Sequence, residues 1–146
     1  MRIGRRLAFD VGQARTGVAV SSHDGIFASP VGNIESAQGA SALCAEYDPI
    51  ELYVGLPLSL SGNHTASTEN ALAFATELAE ITGRSVRLID ERLTTTSAQM
   101  FMRAAGKNAK QAKSGIDAAA ATLILEQALA IEKAGNLPGK SLEEYL

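Results

Sequence analysis

The stretch LAFDVGQARTGVAVSS, Leu7–Ser22, decides how this chain is read. It sets one acid, Asp10, inside an apolar run, turns within Gly12–Thr16, and runs apolar again through Val18, Ala19 and Val20. Two short apolar runs joined by a glycine-bearing turn predict a β-hairpin, with strands over Leu7–Val11 and Gly17–Ser22. A carboxylate in such a run is costly to bury unless something compensates for it. Asp-x-Gly is also a common turn arrangement, in which the side chain bonds backbone amides. Asp10 is therefore either a turn former or part of a site.

Working outward, Gly25–Ile34 reads as a third strand after the Asp24-Gly25 turn, and Pro30 suits an edge or a bulge. The spacing then predicts a helix over Ala37–Tyr47 and a strand over Glu51–Leu56, stopped by Pro57. A Ser/Gly/Asn loop over Leu58–Thr65 leads into an amphipathic helix over Ala66–Ile81, ended by Thr82-Gly83. A strand over Ser85–Ile89, a helix over Ser97–Ala105, a loop over Gly106–Gly115 and a helix over Ile116–Ala134 follow. The tail, about 135–146, is expected to be loose. A meander followed by strand–helix alternation predicts an α/β fold. Its mixed five-stranded sheet has three antiparallel strands, then two parallel ones, with helices on both faces.

A length of 146 residues implies one domain spanning 1–146. The single cysteine, Cys44, forms no internal bridge and no CxxC metal site, and nothing calls for an oxidising compartment. No apolar stretch approaches the roughly 20 residues that span a bilayer, so a cytoplasmic location is expected and a membrane partner is not. The net charge of −3 argues against a generic polyanion binder. Yet Arg92–Ile116 contains no acid and carries Arg92, Arg103, Lys107, Lys110 and Lys113. That run is either a solvated face or a footprint for phosphate backbones.

Three acidic positions stand apart from the rest. Asp10 ends the first strand, Asp90-Glu91 end the last, and Asp117 opens the final helix. Steps of three and four from Asp117 give Ala121, Ile124, Ala128 and Ile131, so Asp117 begins the apolar stripe. Each acid has a plain reading: Asp10 in a turn, Asp90 or Glu91 paired with Arg87 or Arg92, Asp117 complementing a helix dipole or capping its start. Neighbours on a strand face opposite ways, so only one of Asp90 and Glu91 can join a given face. Together the acids could converge where α/β sheets gather functional groups, at the carboxyl ends of strands. Carboxylates brought that close repel, and a hard divalent cation, Mg²⁺ or Mn²⁺, relieves the repulsion. Such centres hydrolyse phosphodiesters.

The blocks LAFDVGQARTGVAV, YVGLPLSLSG, IDERLTT and KSGIDAAAATLIL resemble, in order and spacing, those of the YqgF or RuvX family. Its members are named as Holliday junction resolvases and as pre-16S ribosomal RNA nucleases. The resemblance implies a ribonuclease H-like fold, with Asp10, Glu91 (less so Asp90) and Asp117 as catalytic, metal-binding acids. It implies Arg15 and Arg92 as phosphate or structural partners, beside Lys107, Lys110 and Lys113 as nucleic-acid contacts. The implied work is 5′-end maturation of precursor 16S ribosomal RNA in the bacterial cytoplasm, with structured RNA or branched DNA as partner and a monomer or weak homodimer as the assembly. Two features depart from resolvases of this fold. The fourth strand, Tyr53-Val54-Gly55-Leu56, carries no acid, and Ala120 stands where a second helix Asp would be. Two other readings remain: an actin-like phosphate-binding ATPase, which also uses Asp-x-Gly and a hairpin, and a non-catalytic nucleic-acid adaptor.

Overall fold

The computed structural model describes residues 1–92 and 109–146, and of 109–117 the helical backbone only. Its strands are β1 (Arg6–Val11), β2 (Thr16–Ser21), β3 (Ala28–Ile34), β4 (Glu51–Leu56), β5 (Val86–Asp90) and β6 (Lys140–Ser141). Its helices are α1 (Ala40–Tyr47), α2 (Ala66–Thr82) and α3 (Ala109–Lys133). The strands form one sheet in the order β3-β2-β1-β4-β5-β6. β1 pairs antiparallel with β2, and β2 with β3, whereas β1, β4 and β5 run parallel.

The expected mixed sheet is therefore present, with one strand more than the five expected. The sixth comes from the tail: Ser141 and Lys140 pair antiparallel with Arg87 and Leu88. The tail is not loose. Arg87 donates from Nε to the Pro138 carbonyl at 2.6 Å and from Nη2 to that of Gly139 at 2.9 Å. Leu142, just beyond β6, is buried in the main core. Gly139 makes the approach possible, because its φ of +62° and its closeness to the Leu88 carbonyl leave no room for a Cβ. At the opposite edge, Pro30 lacks a donor, and the β2–β3 register shifts between Val18 and Ala19 beside it.

Alternation along the strands gives each face its own core. Leu7, Phe9, Leu52, Val54, Val86 and Leu88 point toward α1 and α2, where Ala71, Ala75 and Leu78 meet them. Ala8, Ala19, Tyr53 and Ile89 point the other way, under Ala121, Ile124, Leu125 and Ala128 of α3. Of the inner row read from the sequence, Ala121, Ile124 and Ala128 are thus buried, and Ile131 is half-buried. The helix start differs: α3 begins at Ala109, inside the stretch expected as a loop, and not at Ile116. Asp117 accordingly lies in the third turn and is neither an N-cap nor a first-turn acid. The predicted helix over 97–105 falls outside the described residues.

The far end of α3 is pinned by charge. Glu132 accepts from buried Arg6 at 2.8 Å and from Arg2 at 3.0 Å, while Arg2 also reaches Glu51 at 3.1 Å. Arg6 spends its other bonds on the Gly4 and Arg2 carbonyls. Burial by itself would raise the Glu132 carboxyl, but hydrogen bonds from Arg2 and Arg6 outweigh it and hold the group at about 2, below its ordinary 4.5. The ionised form is the one the fold favours. Its contribution is complete above pH 4.5 and is lost as pH falls toward 2. Glu132→Gln is expected to cost about 3 kcal/mol at neutral pH, by leaving Arg6 buried beside a weaker partner. In urea melts run from pH 7 downward, the gap between variant and parent should close as pH approaches 2.

Candidate carboxylate site

The parallel arrangement of β1, β4 and β5 brings their carboxyl ends to one rim. Along β1, Leu7 and Phe9 face α2, so Ala8 and Asp10 face α3. Along β5, Leu88 faces α2 and Ile89 faces α3. The ladder continues one step past β5, where the Glu91 amide donates to the Leu56 carbonyl at 3.1 Å. Glu91 therefore returns to the α3 face, as Asp10 does. Asp90 does not: its carboxylate accepts from the Arg92 backbone amide at 3.0 Å and from the Arg92 guanidinium, through Nε at 2.9 Å and through Nη2. These bonds hold the Asp90 carboxyl below its usual range. The choice left open between Asp90 and Glu91 is thus divided by alternation: one pairs with an arginine, the other meets Asp10.

Asp10 and Glu91 share a hydrogen bond between carboxyl groups. Burial, followed by that bond and the charge of Asp10, pushes the Glu91 carboxyl well above its usual range, and Asp90 adds a smaller push. Two carboxyls so placed hold a proton between them unless a cation replaces it.

Their setting is bare of side chains. Gly17 is the register partner of Asp10 on β2, and the next step of the β1–β4 register sets Gly55 beside it on β4. A Cβ on Gly55 would lie 2.7 Å from the Glu91 carboxyl and 2.6 Å from Ile124 Cδ1. Where resolvases of this fold carry a further acid, this strand carries the residue that lets Glu91 and α3 close in. The sequence offered that signal as a glycine inside a strand.

The remaining expected residues fall as follows. α3 runs from the carboxyl rim, where Ile124 meets Gly55, to the opposite end, where Glu132 meets Arg6. Asp117 lies about two turns before Ile124, on the rim side and on the row of Ala121 and Ala128. Arg15 closes the β1–β2 turn, its carbonyl accepting from the Gly12 amide at 3.0 Å. Lys107 lies outside the described residues, as do the side chains of Lys110, Lys113 and Asp117. Among the described residues, no group of three or more His, Cys, Asp or Glu side chains forms a metal cluster. Asp10 and Glu91 supply oxygen donors only, a set suited to a hard cation.

The sequence pattern of the family described as "RuvX: Holliday junction resolvase" matches residues 4–131. The chain belongs to this family. Among curated relatives, one from Clavibacter sepedonicus is 47% identical, over 97% of this chain and 92% of its own length. One from Streptomyces avermitilis is 46% identical, over 98% and 97%. Both carry the name "Putative pre-16S rRNA nuclease". In fold the RuvX chain is similar to a structure described as T. thermophilus RuvC in complex with Holliday junction substrate. The TM-score is 0.61 at 15% identity, covering 94% of this chain and 99% of that one.

Gly55→Ala should cost about 1–3 kcal/mol, the usual result of forcing a methyl into a filled site. A crystal structure of the variant should show Glu91 or Ile124 displaced. An unchanged melting midpoint would contradict the close approach.

Proposed function

We propose that this RuvX protein is a divalent-metal-dependent endonuclease. Its substrate is structured RNA, namely the 5′ region of precursor 16S ribosomal RNA, processed in the cytoplasm. The observation that carries the reading is the Asp10–Glu91 contact: two acids 81 positions apart in sequence (91 − 10), brought together on bare strand ends. A turn former has no need of a second, half-buried carboxyl pressed against it. The names of the curated relatives support the substrate, and the oxygen-only donors support Mg²⁺ or Mn²⁺.

In this mechanism Asp10, Glu91 and Asp117 would hold the cation, which would take the place of the proton that Asp10 and Glu91 share. The cation would supply an activated water and charge compensation at the leaving oxygen. Gly55 lets the Glu91 carboxyl and Ile124 of α3 close over β4 beside Asp10. Lys107, Lys110 and Lys113, with Arg15 and Arg92, neutralise the phosphates on either side. Asp90 sets the turn that aims Glu91.

A second reading, action on branched DNA, is favoured by the family description alone. Purified protein is therefore tested on precursor 16S RNA and on four-way DNA with Mg²⁺ or Mn²⁺. Cleavage of the RNA at the 5′ region is expected, and it should stop with a chelator. Asp10→Asn, Glu91→Gln and Asp117→Asn should each lower it by at least about 100-fold. RNA bound but left intact would overturn the nuclease reading.

Glu91→Gln has a second expected result. The amide replaces a carboxyl that must hold a proton beside Asp10, so metal-free protein should melt about 2–4 °C higher. The rise that Mg²⁺ or Mn²⁺ gives the parent protein should be absent from the variant.

A further inference from the structure

A cavity of about 460 Å³ is lined, among the described residues, by Leu60, Asp90, Arg92 and Gln127. Its place follows from the chain. Asp90 and Arg92 flank Glu91, Leu60 belongs to the loop that follows β4, and Gln127 lies one turn beyond Ile124 on α3. The size falls in the range of small-ligand sites.

Leu60 is 93% exposed. A single exposed leucine is ordinary, but this one is held in place. The Ser59 amide donates to the Asn63 carbonyl at 3.0 Å and the Gly62 amide to the Ser59 carbonyl at 2.8 Å. The Asn63 amide donates to Ser59 Oγ at 2.9 Å. Below the loop, Thr65 and Thr68 form a capping box at the start of α2, and the Thr68 hydroxyl donates to the Pro57 carbonyl. The loop is braced from within; Leu58 packs against the main core, and Leu60 points into solvent.

The other lining groups narrow the ligand. Arg92 spends in-plane hydrogens on Asp90, which leaves the planar face of its guanidinium as the surface to offer. Asp90 is already bonded to Arg92, so the pair brings little net charge to the cavity, and Gln127 has both donor and acceptor. An apolar contact, a planar cation and neutral or acidic edge partners match a flat ring with a polar edge. Resting on the nuclease reading above, we propose that this cavity binds one unpaired nucleobase next to the scissile phosphate. The protein thereby selects RNA at the border between paired and unpaired strands. Bases carrying an exocyclic amino group suit the side-chain oxygen of Gln127 best. Stacking and edge contacts to a splayed base are the usual means of reading RNA outside its helices.

The test uses an RNA hairpin with a single unpaired 2-aminopurine beside its stem, with Ca²⁺ as the cation. Binding by the parent protein should change the 2-aminopurine fluorescence. Leu60→Ala, at an exposed position with little bearing on folding, should lose that signal and bind about tenfold more weakly. On the same hairpin with an abasic site at that position, the two proteins should bind alike. Gln127→Leu should alter the preference among the four bases at that position and leave abasic binding unchanged. If the parent binds the hairpin without a fluorescence change, or Leu60→Ala matches it throughout, the base site is overturned and the nuclease reading stands. If the parent binds no RNA hairpin at all, both fall.

Discussion

Two carboxyl groups forced together at the rim of a hydrophobic layer are an unfavourable arrangement, and much of this fold serves to impose it. Asp10 and Glu91 belong to strands separated by β4, so each must reach across it, and Gly55 on β4 is what allows the meeting. Side-chain alternation fixes which acid arrives. Had β5 paired one residue out of register, Asp90 would face Asp10 and Glu91 would turn to the α2 side of the sheet. The continuation of the ladder through the Glu91 amide and the Leu56 carbonyl holds that register where an error would matter most.

α3 completes the arrangement from above. Its slim inner row of Ala121 and Ala128, with Ile124 between them, lets the helix lie against Ala8, Ala19 and Tyr53. At the end away from the acids, Arg6 and Glu132 stop the helix from sliding along the sheet. The tension at one end of the β1 strand is thus matched by a tightly bonded charge pair at the other. Tyr53, buried under the same helix, reaches this charged cluster through Arg2 at 3.3 Å.

Much of this was legible in the residues. The hairpin over 7–22, the strand Glu51–Leu56 and the helix starting at Ala66 follow from periodicity and turn chemistry, which are local. The tail was misread because Lys140-Ser141 is too short to show a pattern, and what orders it is distant: two bonds from Arg87 and a glycine against the Leu88 carbonyl. The early start of α3 was missed for another reason. Polar residues 109–115 lack an apolar stripe, and helix is favoured there by continuity with the packed turns that follow. The acids themselves were visible as exceptions to the apolar runs. Their convergence at the strand ends was expected too, but which of Asp90 and Glu91 meets Asp10 depends on the register of β4 with both neighbours. The Arg6–Glu132 pair left no trace in the sequence at all, because nothing local links two residues that far apart.

The position of α3 in the chain has a consequence for biosynthesis. Among the described residues, α3 is the helix that packs on the sheet face carrying Asp10 and Glu91, so that face waits for residues 109–133 to leave the ribosome. Nascent fragments can thus build the α1/α2 half of the core while the face that carries Asp10 and Glu91 still lacks α3. The two carboxyl groups are enclosed only when the last long helix docks.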